Sequence, residues 1–144
     1  MSTGEKQYPY TGFRFRVEID GITVAQFSEV SGIQIETETE SYEEGGVNDF
    51  VHQFPKRTKH QPITLKRGIT DVEEMWKWHQ DVVNGKFKRK NGSIIIIDSK
   101  GEEKCRWNFF QAFPVKWTGP DLKANSTTIA FETIELVHHG IKKG

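Results

Sequence analysis

Few residues in this chain could do chemistry. Five histidines (His52, His60, His79, His138 and His139) and one cysteine, Cys105, make up the metal-ligating and nucleophilic set. None of the histidines stands at a usual zinc-ligand spacing. His138 and His139 are neighbours in a segment that alternates like a strand. Their side chains therefore point to opposite faces, and one metal ion does not easily take both. His79 falls among Met75, Trp76 and Val83 on a helical stripe, where a hydrogen-bonded core or interface imidazole accounts for it better than catalysis does. Cys105 is flanked by Lys104 and Arg106, which would lower a thiol pKa. In an alternating strand, however, it shares a face with Trp107 and Phe109 and reads as a small buried hydrophobe. A cysteine nucleophile also needs a histidine partner, and nothing in the spacing supplies one.

Acids come in a row at Glu36, Glu38 and Glu40. Glycoside hydrolysis needs two carboxylates facing each other across a sugar, which a row on one strand face does not provide. The run Lys86-Phe87-Lys88-Arg89-Lys90 could touch phosphates. Directly after a helix stop it reads better as a solvated turn or as a partner for acidic neighbours. The phosphate-binding patterns GxxxxGKS/T and GxGxxG after a strand are absent, as is the GxSxG elbow. The sequence thus predicts no catalytic residue, no metal and no cofactor.

Composition agrees with a protein that is not an enzyme of those classes. The 144 residues suit a single domain, 1–144. Ten Phe and four Trp let a modest core bury much area. Twenty basic residues balance twenty acidic ones, so the basic excess of a nucleic-acid binder is missing. The same neutrality leaves little repulsion to oppose self-association. One cysteine excludes an intrachain disulfide, as expected for a protein made in a reducing cytoplasm. The opening MSTGEKQYPYTGFRF has no apolar stretch resembling a signal peptide. The longest aliphatic run, Ile94 to Ile97, is too short to span a bilayer, so no stable membrane association is expected.

The elements that must position these residues are mostly strands. Phe13, Phe15, Val17 and Ile19 alternate with Arg14, Arg16, Glu18 and Asp20, a period of two. Asp20-Gly21 then marks a hairpin, and Ile22 to Val30 returns as its second strand. From Ile33 a third strand puts Ile33, Ile35, Thr37 and Thr39 on one face and Gln34, Glu36, Glu38 and Glu40 on the other. Ser41 to Pro62 reads as a long irregular connection with apolar residues and a basic cluster, a length that is usually functional. Ile63 to Ile69 is a strand with Ile63, Leu65 and Arg67 on one face. Thr70 and Glu73 suggest a capping box for a helix whose stripe is Val72, Met75, Trp76, Trp78, His79, Val82 and Val83, ending at Asn84-Gly85. Ser93 to Ser99, the turn at Lys100-Gly101 and Lys104 to Phe113 form a second hairpin. Thr127 to Val137 closes the domain. About seven strands and one helix predict a mostly β fold, an antiparallel β-sandwich or barrel with one flanking α-helix.

In order and spacing these segments resemble the tail-tube protein family of contractile phage tails and related extracellular injection systems. The likeness is carried by YTGFRFRVEIDGITVAQFSEVSG (Tyr10 to Gly32), YEEGG (Tyr42 to Gly46) and PITLKRGIT (Pro62 to Thr70). It continues through the Trp76–Trp78 helix, Trp107 to Gly119 and IELVHHG (Ile134 to Gly140). The resemblance implies a protomer whose hairpins join a larger barrel around a lumen in a hexameric ring. Rings would stack into a tube inside a sheath, with baseplate, tube-initiator and tape-measure proteins as partners and protein or DNA as cargo. The finished tube would be part of a virion or an extracellular tail-like particle.

Two groups of residues are assigned within that frame. Glu43, Glu44, Val47, Asn48, Asp49, Phe50, Phe54, Lys56, Arg57 and Lys59 supply apolar anchors rimmed by charge, as a ring-to-ring contact needs. Gln34, Glu36, Glu38 and Glu40 would face the lumen, where acids limit the sticking of DNA and acidic cargo, or would meet Lys56, Arg57 and Lys59 of a neighbouring ring. Two other readings are a monomeric β-barrel binding a small ligand with Trp107, Phe109 and Trp117, and a hydrolase using His79 or Cys105.

Overall fold

A computed structural model describes residues 8–20, 22–25, 27–42, 51–71, 73–86, 88–125 and 127–144. Among these are ten strands and one helix. Strand β1 (Arg14–Ile19) buries Val17 and Ile19, as its alternation predicts, and pairs antiparallel with β2 (Ile22–Ala25). Gly21 itself lies outside the described residues.

On its other edge β1 pairs with β7 (Lys90–Ile97), from Arg14 opposite Ile97 to Ile19 opposite Gly92. Ile94 and Ile95 are both buried, one on each face of β7. The turn into β8 (Glu103–Thr118) is closed by Asp98, whose carboxylate accepts N–H bonds from Lys100 and Glu102, both at 2.9 Å. Those two donors hold the Asp98 carboxyl below its ordinary pKa.

The remaining large strands are β3 (Glu29–Ser31), β6 (Ile63–Gly68) and β9 (Phe131–Val137), giving the order β2-β1-β7-β8-β9-β6-β3. β8 is the seam between two groups of strands. Its residues up to Ala112 pair with β7, and those from Phe113 pair with β9. At the joint Gln111 has φ of 54°, in the left-handed region, and its N–H donates to Asn91 Oδ1 at 3.0 Å. β10 (Ile141–Lys143) continues along the same edge of β8 as β9, after a break at His138–Gly140. Val17 and Ile94 from one group share a core with Ile63, Leu65, Ile134 and Leu136 from the other. Helix α1 (Glu74–Val83) seals it with Met75 and Trp78, each of which contributes about 1.5–3 kcal/mol by burial.

Three departures from sequence expectation bear on the candidate site and the core around it. The expected strand Ile22 to Val30 is two strands at opposite ends of the sheet order. Phe27 turns into the core between them, and the Ser28 N–H bonds Lys66 O at 2.8 Å. The capping box does not form. Strand pairing runs on to Ile69, whose N–H donates to Ala130 O, so the helix starts at Glu74 and Glu73 sits at its cap without a side-chain cap bond. The helical stripe is also narrower than expected: Trp76 and Val83 are exposed, and Val72 lies outside the described residues. Third, much of the irregular connection is a strand. β4 (Ile35–Tyr42) and β5 (His52–His60) form a separate two-stranded antiparallel sheet.

Candidate assembly interface: the β4–β5 hairpin

The hairpin belongs to neither flank of the main sheet, and nearly all of its residues are exposed. Isolated two-stranded hairpins are marginal in water, so this one has both the exposure and the incentive to pack on something else. Its register runs from Ile35 opposite His60 to Tyr42 opposite His52, with a bulge where Thr37 and Thr39 face residues 55–58. Pro55 is tolerated because a two-stranded sheet has outer edges on which a missing N–H costs nothing.

Of the residues assigned to ring stacking, Phe54, Lys56, Arg57 and Lys59 lie on β5, whereas Glu43, Glu44, Val47, Asn48, Asp49 and Phe50 lie outside the described residues. Phe54 is half exposed and meets Tyr42 edge-on, with ring centroids 6.4 Å apart. Both rings are thus presented on the hairpin's surface.

Gln34 precedes β4, and Glu36, Glu38 and Glu40 lie along it. The basic residues of β5 meet this acid row within the same chain. Glu36 stands opposite Lys59, and Glu38 binds Lys59 Nζ at 2.5 Å and Arg57 Nε at 3.5 Å. The hydrogen bond and charge of Glu38 raise the Lys59 pKa. The Arg57 side chain is still 81% exposed, so most of its donor fork remains available to a partner.

The neck of the hairpin is built more tightly than its shaft. Gly32, at φ of 88°, packs so closely on Pro62 that an added Cβ would lie 2.0 Å from the Pro62 carbonyl oxygen. His60, the last residue of β5, lies against His138 with ring centroids 5.5 Å apart. The Gly140 N–H donates to His138 Nδ1 at 3.1 Å, which leaves Nε2 to carry the proton that Gln61 O accepts at 2.9 Å. Sequence reasoning placed His138 beside His139 and missed His60, because chain folding and not spacing brings those two rings together. His139 instead turns to Arg89, 3.2 Å from its Nη1.

The other singled-out residues are dispersed. Cys105 is half-buried, in place of the full burial expected. Among the described residues no group of His, Cys, Asp or Glu could hold a metal ion. Phe109 is packed in the core and Trp107 lies at its edge. Trp117 instead meets Trp76 edge-on at 4.7 Å, in a cleft of about 300 Å³ lined also by Ile69, Thr70, Glu73 and Glu132. Trp107, Phe109 and Trp117 therefore occupy different surroundings, and the small-ligand reading loses its support. No helix of the described residues is long and apolar enough to cross a membrane.

The family described as T4-like virus tail tube protein gp19 matches residues 11–142. No curated protein matches the chain. Among solved structures, a chain from the sheath-tube complex of the PVC extracellular contractile injection system in its extended state superposes with a TM-score of 0.85, at 28% identity, over 96% of this chain and 93% of that one. A chain from the anti-feeding prophage tube-terminating cap gives 0.85 at 27% identity, over 97% and 93%. Hcp1 from Flavobacterium johnsoniae shares the fold, with a TM-score of 0.63 at 20% identity over 91% and 94%.

Proposed function

We propose that this chain, which belongs to the T4-like virus tail tube protein family, is a structural subunit of the inner tube of a contractile injection system or phage-tail-like particle. The match across residues 11–142 carries this reading. Copies assemble into hexameric rings that stack, and the lumen conducts protein or DNA when a surrounding sheath contracts. The sheath, baseplate and tape-measure proteins are its partners, and the assembled tube forms part of a virion or extracellular particle. No step of this function asks for a catalytic residue.

The β4–β5 hairpin is the ring-stacking arm in this reading. It is exposed on both faces, carries Phe54 and Tyr42 as anchors and presents Arg57. The Gln34, Glu36, Glu38 and Glu40 face is the candidate lumen lining, with Glu38 held by the arm's own cations. Electron microscopy of the purified protein tests the reading: rings and stacked tubes are expected, and a protein that stays monomeric under every condition contradicts it.

A further inference from the structure

The neck of the hairpin carries two imidazoles in contact. His138 is fixed in one neutral tautomer: Nδ1 accepts from the Gly140 N–H, and Nε2–H donates to Gln61 O, the link between β5 and β6. His60 has its Nδ1 buried without a hydrogen-bond partner among the described residues. Its ring also lies on Gly140, where an added Cβ would be 3.4 Å from His60 Nε2. We propose that the contact of His138 with His60 is an acid-operated latch, which pins the hairpin to the body of the domain while the His138 ring is neutral and releases it when His138 takes up a proton.

The groups facing His138 give the latch its direction. From β5 comes His60. From the β9–β10 joint comes His139, whose Nε2 is 3.2 Å from Arg89 Nη1 of the segment entering β7. From the β5–β6 link comes the Gln61 carbonyl. Among the described residues none of the groups acting on the His138 ring is a carboxylate, and burial, with charge on His60 and His139, pushes its pKa below the ordinary 6.5. A proton on Nδ1 would turn the Gly140 contact from acceptor–donor to donor–donor and would place a cation against His60. The folded form takes up this proton less readily than the unfolded chain does. The latch is therefore at full strength above about pH 6.5 and weakens as pH falls below it. If the hairpin is the stacking arm, as proposed above, acid loosens ring from ring through this neck.

Two measurements on the full-length protein test the latch. Imidazole ¹⁵N shifts at pH 7 are expected to show His138 protonated at Nε2; a proton at Nδ1 overturns the proposal with no variant needed. Amide hydrogen exchange, corrected for its intrinsic pH dependence, is then followed from pH 7.5 to 5. Protection of the Gly140 amide is expected to fall at least tenfold in acid while Ile134 and Leu136 stay protected. In His138→Gln, which keeps a donor and an acceptor but does not titrate, that protection should persist. Unchanged wild-type protection, or an equal fall in the variant, overturns the latch. Electron microscopy run alongside separates the two ideas. Absence of tubes at pH 7.5 counts against the stacking reading and leaves the exchange result to judge the latch. Tubes that persist at pH 5 with the neck open overturn the coupling between them.

Discussion

Arg67 Nε lies 2.6 Å from Glu132 Oε1, and the two side chains are 6% and 10% exposed. Glu132 uses its second oxygen to accept from Trp117 Nε1 at 3.0 Å, so one buried carboxylate ties β6, β9 and the far half of β8 together. Removing one partner strands a buried charge. Glu132→Ala should lower stability by about 3–5 kcal/mol in denaturant unfolding. The double replacement Arg67→Met with Glu132→Leu should recover much of that loss, because no charge then stays buried.

Gly92 faces Phe109 across the β7–β8 pair so closely that an added Cβ would stand 2.2 Å from Phe109 Cζ and 2.7 Å from Glu18 O. Gly92→Ala should cost about 1–3 kcal/mol by overpacking. Because the Glu18 oxygen is backbone, shortening the ring with Phe109→Leu should rescue only part of the loss, measured as a double-mutant cycle.

Phe54→Ser should leave the unfolding free energy of the isolated protein within about 0.5 kcal/mol of wild type, since the ring is half exposed. Tube formation should fall sharply by sedimentation and electron microscopy. Normal tubes would remove Phe54 from the stacking contact. A collapse of stability would mean that the ring serves the fold and not the assembly.

Asp98 provides a pH test far from the neck. Its carboxyl titrates below the usual value because the Glu102 and Lys100 N–H groups bind the charged form. That stabilisation is complete above the unfolded pKa, near 3.8, and is lost as pH falls through the lower folded value. The Lys100 and Glu102 amides should stay protected at pH 5, where the His138 contacts at the neck are expected to be weakened. Asp98→Ala should expose both at neutral pH, whereas Asp98→Asn, which keeps an oxygen acceptor, should protect them.

Strands that bury one face were legible from the sequence. Val17 and Ile19 on β1, and Ile63, Leu65 and Arg67 on β6, alternate as expected and face the core. The Arg67 position even held a signal for its partner, since a charged residue on an apolar face needs one. The second strand of the arm was not legible. The run from His52 to His60 contains Pro55 and three basic residues, and only cross-strand pairing with the acids of β4 makes it a strand. Phe27 and the His60–His138 contact were hidden for a related reason. Each depends on segments far apart in the chain that no local period connects.

The sixteen residues of β8 carry a consequence for how the chain reaches this fold. One continuous strand serves β7 at its start and β9 at its end, so neither group of strands can be completed while the other is unformed. Contacts between distant segments must close before either is rewarded, which favours slow and all-or-none folding over stepwise gain of two halves. A cut at Gln111 would therefore not release a stable half-domain. Each fragment would lack the other's share of β8, and with it half of one sheet.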